Sequence, residues 1–293
     1  MIKKKQNHIV TEEEVDQMVE LYEQGLSAAA ICKILPYTPH TILAHINKRG
    51  IPSRSKAGFK KPFNEDYFEN IDTEEKAYFL GFLMADGCVT ERVNSQPCIC
   101  LQIKSEDEYI LSKLKEELST DNKIGVNPIR SHSQLKIHSQ KMADDLAKYG
   151  IVPRKTGHEI FPEDKIPQNL ICHFIRGFFD GDGWFTFTTS HGIPKKRISL
   201  GLTGNIQMLT DIRNYFVKHL PNVTRLQIHE FKSREKGYEG FSSVTFSKFD
   251  NVKDIGNFMY GDANIYLIRK KQVFDEAIEL IPSRRRIGRP RNA

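Results

Sequence analysis

Long apolar runs are missing from this chain. Its most apolar stretches, around residues 78–85 and 174–179, fall far short of the roughly 20 residues that a membrane helix needs. Cysteine is also scarce. The five present include no CxxC pair, so neither a disulfide framework nor a zinc finger is expected, and the thiols are read as reduced and mostly buried. The first residues carry lysines with no apolar segment behind them, which predicts no secretory signal and a cytoplasmic location. What is present is an ordinary globular mixture. Hydrophobic residues at 39% and charged residues at 27% exclude disordered and collagen-like chains, and 293 residues suffice for two domains.

The net charge of +6 is unevenly spread. Residues 1–62 carry 10 Lys/Arg against 6 Asp/Glu, and residues 283–293 carry 5 Arg and no acid. Between them, residues 63–160 hold 12 basic against 17 acidic side chains, and residues 161–282 hold 16 against 14. The positive charge therefore sits at the ends. The acidic middle is unlike a surface that merely coats nucleic acid by electrostatics.

The first sixty residues read as three short helices. Thr11 and Glu14 form a capping box ahead of Val15, Met18, Val19 and Tyr22, which recur at helical spacing to about Gln24. Ser27 caps a second helix over 28–35, stopped by Pro36; Thr38 and Pro39 start a third that ends at Gly50. Such a unit is either a packing bundle or a helix-turn-helix reader, whose second helix enters the major groove. On that helix His40, Thr41, Ala44, His45 and Lys48 lie opposite Ile42, Leu43 and Ile46. Residues 25–35 and 41–45 resemble the helix-turn-helix modules of resolvases and sigma-like factors. The following Arg49, Arg54, Lys56, Lys60 and Lys61 would supply phosphate contacts on a Gly/Pro-containing linker.

The most informative feature is an internal repeat. The segment YFLGFLMADG at 78–87 is matched by FIRGFFDGDG at 174–183. Each reads as an apolar helix with small residues four apart, Gly81 and Ala85 in one, Gly177 and Gly181 in the other. Such stripes let helix backbones pack closely. Asp86 and Asp182 then meet at two helix C-termini, where the dipole disfavours negative charge, so two ionised carboxylates call for a cation. Oxygen ligands without Cys or His suit Mg²⁺ or Mn²⁺. An EF-hand is excluded, since Phe185 and His191 stand where its Gly and Glu belong.

These segments resemble the paired motifs of single-chain LAGLIDADG homing endonucleases. The resemblance implies that the catalytic acid of each motif is Asp86 or Asp182. The first motif departs from the usual pattern at its sixth position, where Met84 stands in place of the acid that Asp180 supplies in the second. The order after each motif is the same. In the first half, strands at 97–104, 124–129 and 134–138 alternate with helices at 107–118 and 140–149; in the second, strands at 184–188, 197–203, 225–230 and 243–246 alternate with helices at 206–220 and 251–260. Tyr149-Gly150 leads to Arg154-Lys155, and Tyr260-Gly261 leads to Arg269-Lys270. The resemblance implies that a lysine at such a place reaches the scissile phosphates, so Lys155 and Lys270 become candidate charge stabilisers. Lys271 is the competing alignment.

The expected fold class is α+β: a duplicated αββαββα core forming a DNA-binding saddle, preceded by a small all-α helix-turn-helix domain. The expected divisions are 1–58, a linker at 59–71, repeats at 72–165 and 166–282, and a basic tail at 283–293. The alternating strands offer Gln102, Lys104, Arg130, Lys136, Arg197, Arg225 and Gln227 to DNA, and the loop around Lys195 and Lys196 offers phosphate contacts. The tail contains Gly288-Arg289-Pro290, which resembles the centre of an AT-hook, although Ile287 stands where an Arg would precede it.

The resulting expectation is a monomeric, Mg²⁺- or Mn²⁺-dependent endonuclease that cuts both strands of a long, pseudo-symmetric DNA site. Two alternatives on the same fold are a DNA-binding regulator without nuclease activity, which the presence of both acids disfavours, and a maturase that binds intron RNA.

Overall fold

In the computed structural model the described residues are 10–51, 63–93, 95–190, 193–223, 228–230 and 241–280. The chain divides into two compact units, Met1–Lys61 and Pro62–Ala293.

The first unit holds three helices, α1 (Glu12–Glu23), α2 (Ala28–Ile31) and α3 (Pro39–Lys48). The Thr11/Glu14 capping box forms as expected, with Ser27 and Thr38 capping the next two helices. Met18, Tyr22, Ile31, Ile42 and Ile46 fill its core. The helix expected over 28–35 is a single turn. Beyond Ile31 the amides of Lys33 and Ile34 bond three residues back, and the tighter coil ends before Pro36. Arg49, expected at a phosphate, instead pairs with Glu12 and Asp16 of α1.

The second unit repeats one succession twice. The first half runs α4 (Glu74–Asp86), β1 (Gly87–Arg92), β2 (Ser95–Lys104), α5 (Glu108–Glu117), β3 (Gly125–Asn127), β4 (His132–His138) and α6 (Gln140–Lys148). The second runs α7 (Ile171–Asp182), β5 (Gly183–Ser190), β6 (Ile193–Asn205), α8 (Ile206–His219), β7 (His229–Glu230), β8 (Phe241–Phe246) and α9 (Phe249–Tyr260), followed by α10 (Ile268–Leu280). Each half is thus αββαββα, with an antiparallel sheet of order β1-β2-β4-β3 or β5-β6-β8-β7. The α+β class and duplication stand as expected. Strand β1 is implied by the αββαββα plan, but the sequence assigns it no residues, and helix α10 has no counterpart there. Residues 63–71, read as the end of a linker, pack into the second unit through Tyr67, Phe68 and Ile71.

Helices α4 and α7 cross at the centre, and their small residues explain how. A Cβ added to Gly81 would overlap the carbonyl oxygen of Phe174; one added to Gly177 would overlap that of Tyr78. The backbones are in direct contact, with Tyr78, Phe79, Phe82, Phe174, Phe178 and Phe179 buried around them. Burial of each such aromatic contributes about 2–3 kcal/mol. Both helices therefore end at the same place. Each passes straight into a strand through Gly87 or Gly183, whose added Cβ would press on the Leu83 or Phe179 backbone.

Strand alternation fixes what faces outward. In sheet 1, Ile99, Leu101, Ile103, Leu135 and Ile137 are buried under the helices, while Gln102, Lys104 and Lys136 are exposed. In sheet 2, Ile198, Leu200 and Leu202 point inward and Arg197 outward. No helix among the described residues is long and apolar enough to cross a membrane.

Candidate active site at the paired helix ends

Asp86 and Asp182 are the last residues of α4 and α7. An added Cβ on Gly181 would lie 3.3 Å from Asp86 Oδ2, so the Asp86 carboxylate rests on the last turn of the opposite helix. Both carboxyl groups have raised pKa values. For Asp182, burial is the main cause and the Asp86 charge the next, with Glu159 adding to them; together they push it up to about 7. Asp86 reaches solvent at the surface but is flanked by protein on most sides. Its partial desolvation raises the pKa, while Lys270, Lys155 and Arg269 pull it back.

The two lysines are buried beneath these acids. Lys155 Nζ donates to the carbonyl oxygens of Met84 (2.7 Å) and Ala85 (3.0 Å) at the end of α4. Lys270 Nζ donates to Phe179 O (2.6 Å), Asp180 O (2.7 Å) and Gly183 O (2.6 Å) at the end of α7. Lys155 thus sits on carbonyls left without an amide partner at the end of α4, whereas Lys270 shares Phe179 O with the Gly183 amide, and both ammoniums lie at the negative pole of a helix dipole. Burial lowers both lysine pKa values, that of Lys270 to about 8, with the acids opposing the shift. The motif resemblance aims these lysines at phosphates. The structure shows Lys270 using all three donors on the backbone, whereas Lys155 uses two. The competing Lys271 bonds Asp275 instead. Lys155 comes from the loop after α6 and Lys270 from α10, so different elements bring a cation to equivalent places.

The two halves differ at the sixth motif position. Asp180 is fully buried and accepts from Tyr78 Oη (2.9 Å), Tyr260 Oη (3.2 Å) and the Leu267 amide (2.7 Å). It ties α4, α9 and the start of α10 to α7, while Met84 fills its counterpart with apolar volume. Burial raises the Asp180 pKa, opposed by Lys270, the Leu267 amide, Tyr78 and Arg176.

Several groups here are invisible to a sequence reading. Arg176, fully buried in α7, donates to Ile265 O, Met259 O and Glu74 Oε1. It clamps the segment that delivers Lys270. Arg269 bonds the buried Asp107 through Nε (2.9 Å). Arg269 and Asp107 both border a cleft of about 330 Å³ beside Asp86 that is also lined by Gln102, Lys104 and Arg130. Trp184, the only tryptophan, lies against Gly201 two residues after Asp182. Only the Arg269-Asp107 pair carries a local signal, a motif-flanking Arg, and its partner lies 162 residues away.

The remaining expected contacts are scattered. Gln102, Arg130, Lys136 and Arg197 are exposed, and Lys104 is exposed with a 3.5 Å approach to Glu106. In the first unit His40 and Lys48 are exposed, and His45 and Thr41 half-buried, the latter with its hydroxyl 2.8 Å from that of Thr38. Lys195 and Lys196 lie on β6, with side chains outside the described residues; Arg54, Arg225, Gln227 and the tail also lie outside them.

No protein-family model matches this chain, and no curated protein matches it. Solved structures do. The homing endonuclease I-GzeII, in complex with its DNA target, superposes with a TM-score of 0.51 at 14% identity over 73% of this chain and 93% of its own. I-LtrWI, bound to target DNA, gives 0.51 at 13% identity over 75% and 92%. The fold is that of the LAGLIDADG homing endonucleases. I-SmaMI bound to uncleaveable DNA agrees, with 0.51 at 14% identity over 72% and 89%. At this identity the likeness concerns the fold.

The chemistry of the site suits a hard cation. Two carboxylates lie close together at the helix ends, and burial together with the Asp86 charge outweighs Lys155 and Lys270 enough to push Asp182 up to about 7. Among the described residues no cluster of three or more His, Cys, Asp or Glu forms a fuller ligand set. An ion that keeps several of its own waters and takes one or two carboxylates, as Mg²⁺ does, fits this donor set.

Proposed function

We propose that the chain is a site-specific, divalent-metal-dependent endonuclease acting on double-stranded DNA. The observation that carries this reading is the meeting of Asp86 and Asp182 at the ends of two helices in backbone contact. Asp86 and Asp182 would hold Mg²⁺ or Mn²⁺, which supplies Lewis acidity and a nucleophilic water for phosphodiester hydrolysis. In this reading each of the two repeats would contribute the acid that serves one strand. Lys155 and Lys270 hold the helix ends and lower the cost of gathering two carboxylates. Lys155, with a donor left over, is the better placed of the two to meet a phosphate oxygen.

The outward faces of the sheets, with Gln102, Lys104, Lys136 and Arg197, would follow the grooves, as suits a fold whose solved relatives are bound to DNA targets. The first unit would act as a helix-turn-helix, with His40, Thr41, His45 and Lys48 of α3 at base edges and Arg54 at a phosphate. In this reading Lys195, Lys196 and Arg225 add backbone contacts, and one polypeptide serves both half-sites. The test is selection from a randomised duplex library. With Mg²⁺ present, one long motif should be enriched among cut molecules, and chelation of the metal should abolish the enrichment. Enrichment of bound but uncut duplexes alone would refute the nuclease and support a regulator.

A further inference from the structure

Three of the five cysteines gather on the outward face of sheet 1. Cys88 stands in β1 two residues after Asp86, directly opposite Cys100 of β2 in the antiparallel register; Cys98 is opposite Thr90 on the same face. Cys88 is exposed, whereas Cys100 and Cys98 are 9% and 5% exposed. The Cys100 thiol donates to Gln134 Oε1 (3.9 Å), and burial, with Cys88 as the next cause, pushes it up to about 11. The equivalent place in the second half holds Trp184 over Gly201. A thiol pair is therefore not what the fold requires at this position.

Directly opposed residues of an antiparallel pair have Cα atoms about 4.5 or 5.5 Å apart. Both spacings fall inside the roughly 4.4–6.8 Å that a disulfide spans, so the backbone need not move far to be bridged. The two partners also differ in access. One is open to a reagent from solution, and the other is sheltered behind it, the arrangement of an attacking and a resolving cysteine.

We propose that Cys88 and Cys100 form a reversible dithiol/disulfide pair that reacts with low-molecular-weight disulfides of the glutathione class. The Cys88 thiolate attacks one sulfur of the reagent, forming a mixed disulfide and releasing one thiolate. Cys100, after losing its proton to water, attacks the Cys88 sulfur and expels the second. Two protein thiols are oxidised to one disulfide, and one reagent disulfide is reduced to two thiols. The second attack is intramolecular, between residues directly opposed in the register. The bridge would join β1 to β2 beside Asp86 on the face assigned to DNA. Its effect on cleavage rests on the nuclease reading, while the thiol chemistry stands apart from it.

The experiment treats the folded full-length protein with glutathione disulfide, quenches by alkylation, and maps linkages by mass spectrometry. The expected result is loss of two of the five thiols, a linked species joining the peptides that contain residues 88 and 100, and full reversal by dithiothreitol. In Cys100→Ser, Cys88 should accumulate as the glutathione adduct; in Cys88→Ser, Cys100 should stay reduced. Circular dichroism checks that both variants remain folded. A wild-type protein that keeps a stable adduct at Cys88 with Cys100 still alkylated would overturn the proposal, as would a predominant link through Cys98. These outcomes are independent of nuclease activity.

Discussion

At the scale of single residues, the site places two like charges where neither the helix dipoles nor the surrounding protein welcome them. Asp182 bears most of that cost, and its pKa of about 7 makes the cost measurable. A carboxyl whose folded pKa lies above its unfolded value contributes stability that is fully present below the unfolded pKa. That contribution is lost as pH rises through the folded value. In metal-free buffer the melting temperature should therefore decline between about pH 4 and pH 7. Asp182→Asn should remove this component and melt above the wild type at pH 8. Parallel pH profiles for the two proteins, followed by calorimetry, would show that Asp182 is not destabilised. The same electrostatics explains the buried lysines, which neutralise helix ends and carboxylates at once.

At the scale of elements, the crossing of α4 and α7 decides where everything else can be. Gly81→Ala offers a direct probe. Alanine is the better helix former by about 1 kcal/mol, but its methyl would overlap a backbone oxygen that cannot rotate away, and overpacking of this kind costs about 1–3 kcal/mol or more. The variant should be destabilised in urea by roughly 1–2 kcal/mol on balance. A stabilised variant would mean that the helices are farther apart. This crossing was legible in the sequence because small residues four apart occur twice with Asp-Gly behind them. Helix α10 was not, since its apolar residues Val273, Phe274 and Ala277 are interleaved with charge and it has no counterpart in the first half. Strand β1 was hidden because GCVTER begins with a glycine and lacks a second apolar residue on its inner face. The network around Arg176 was illegible for another reason. Its partners Glu74, Met259 and Ile265 are brought together only by tertiary packing, and motif comparison places Leu80 at its counterpart.

At the scale of the whole molecule, charge and chemistry are segregated. The acidic first half carries one of the two carboxylates, while the cationic excess lies in the first 62 residues and the last 11. If the tail neutralises phosphates, removing residues 283–293 should weaken DNA binding and flatten the logarithmic salt dependence by about 0.9 for each phosphate that is no longer neutralised. Titration at several salt concentrations reads this directly, and an unchanged slope would exclude a phosphate-binding role for the tail. The central claim is that each carboxylate at the helix crossing is required for cleavage. Its most direct test compares Asp86→Asn and Asp182→Asn with the wild type on a cleavable duplex labelled on both strands, in Mg²⁺. Loss of a metal ligand should cost more than the roughly 100-fold that removal of an outer-shell partner costs, so either variant should lose double-strand cleavage while still binding the duplex. Undiminished cleavage of both strands by either variant would contradict the account.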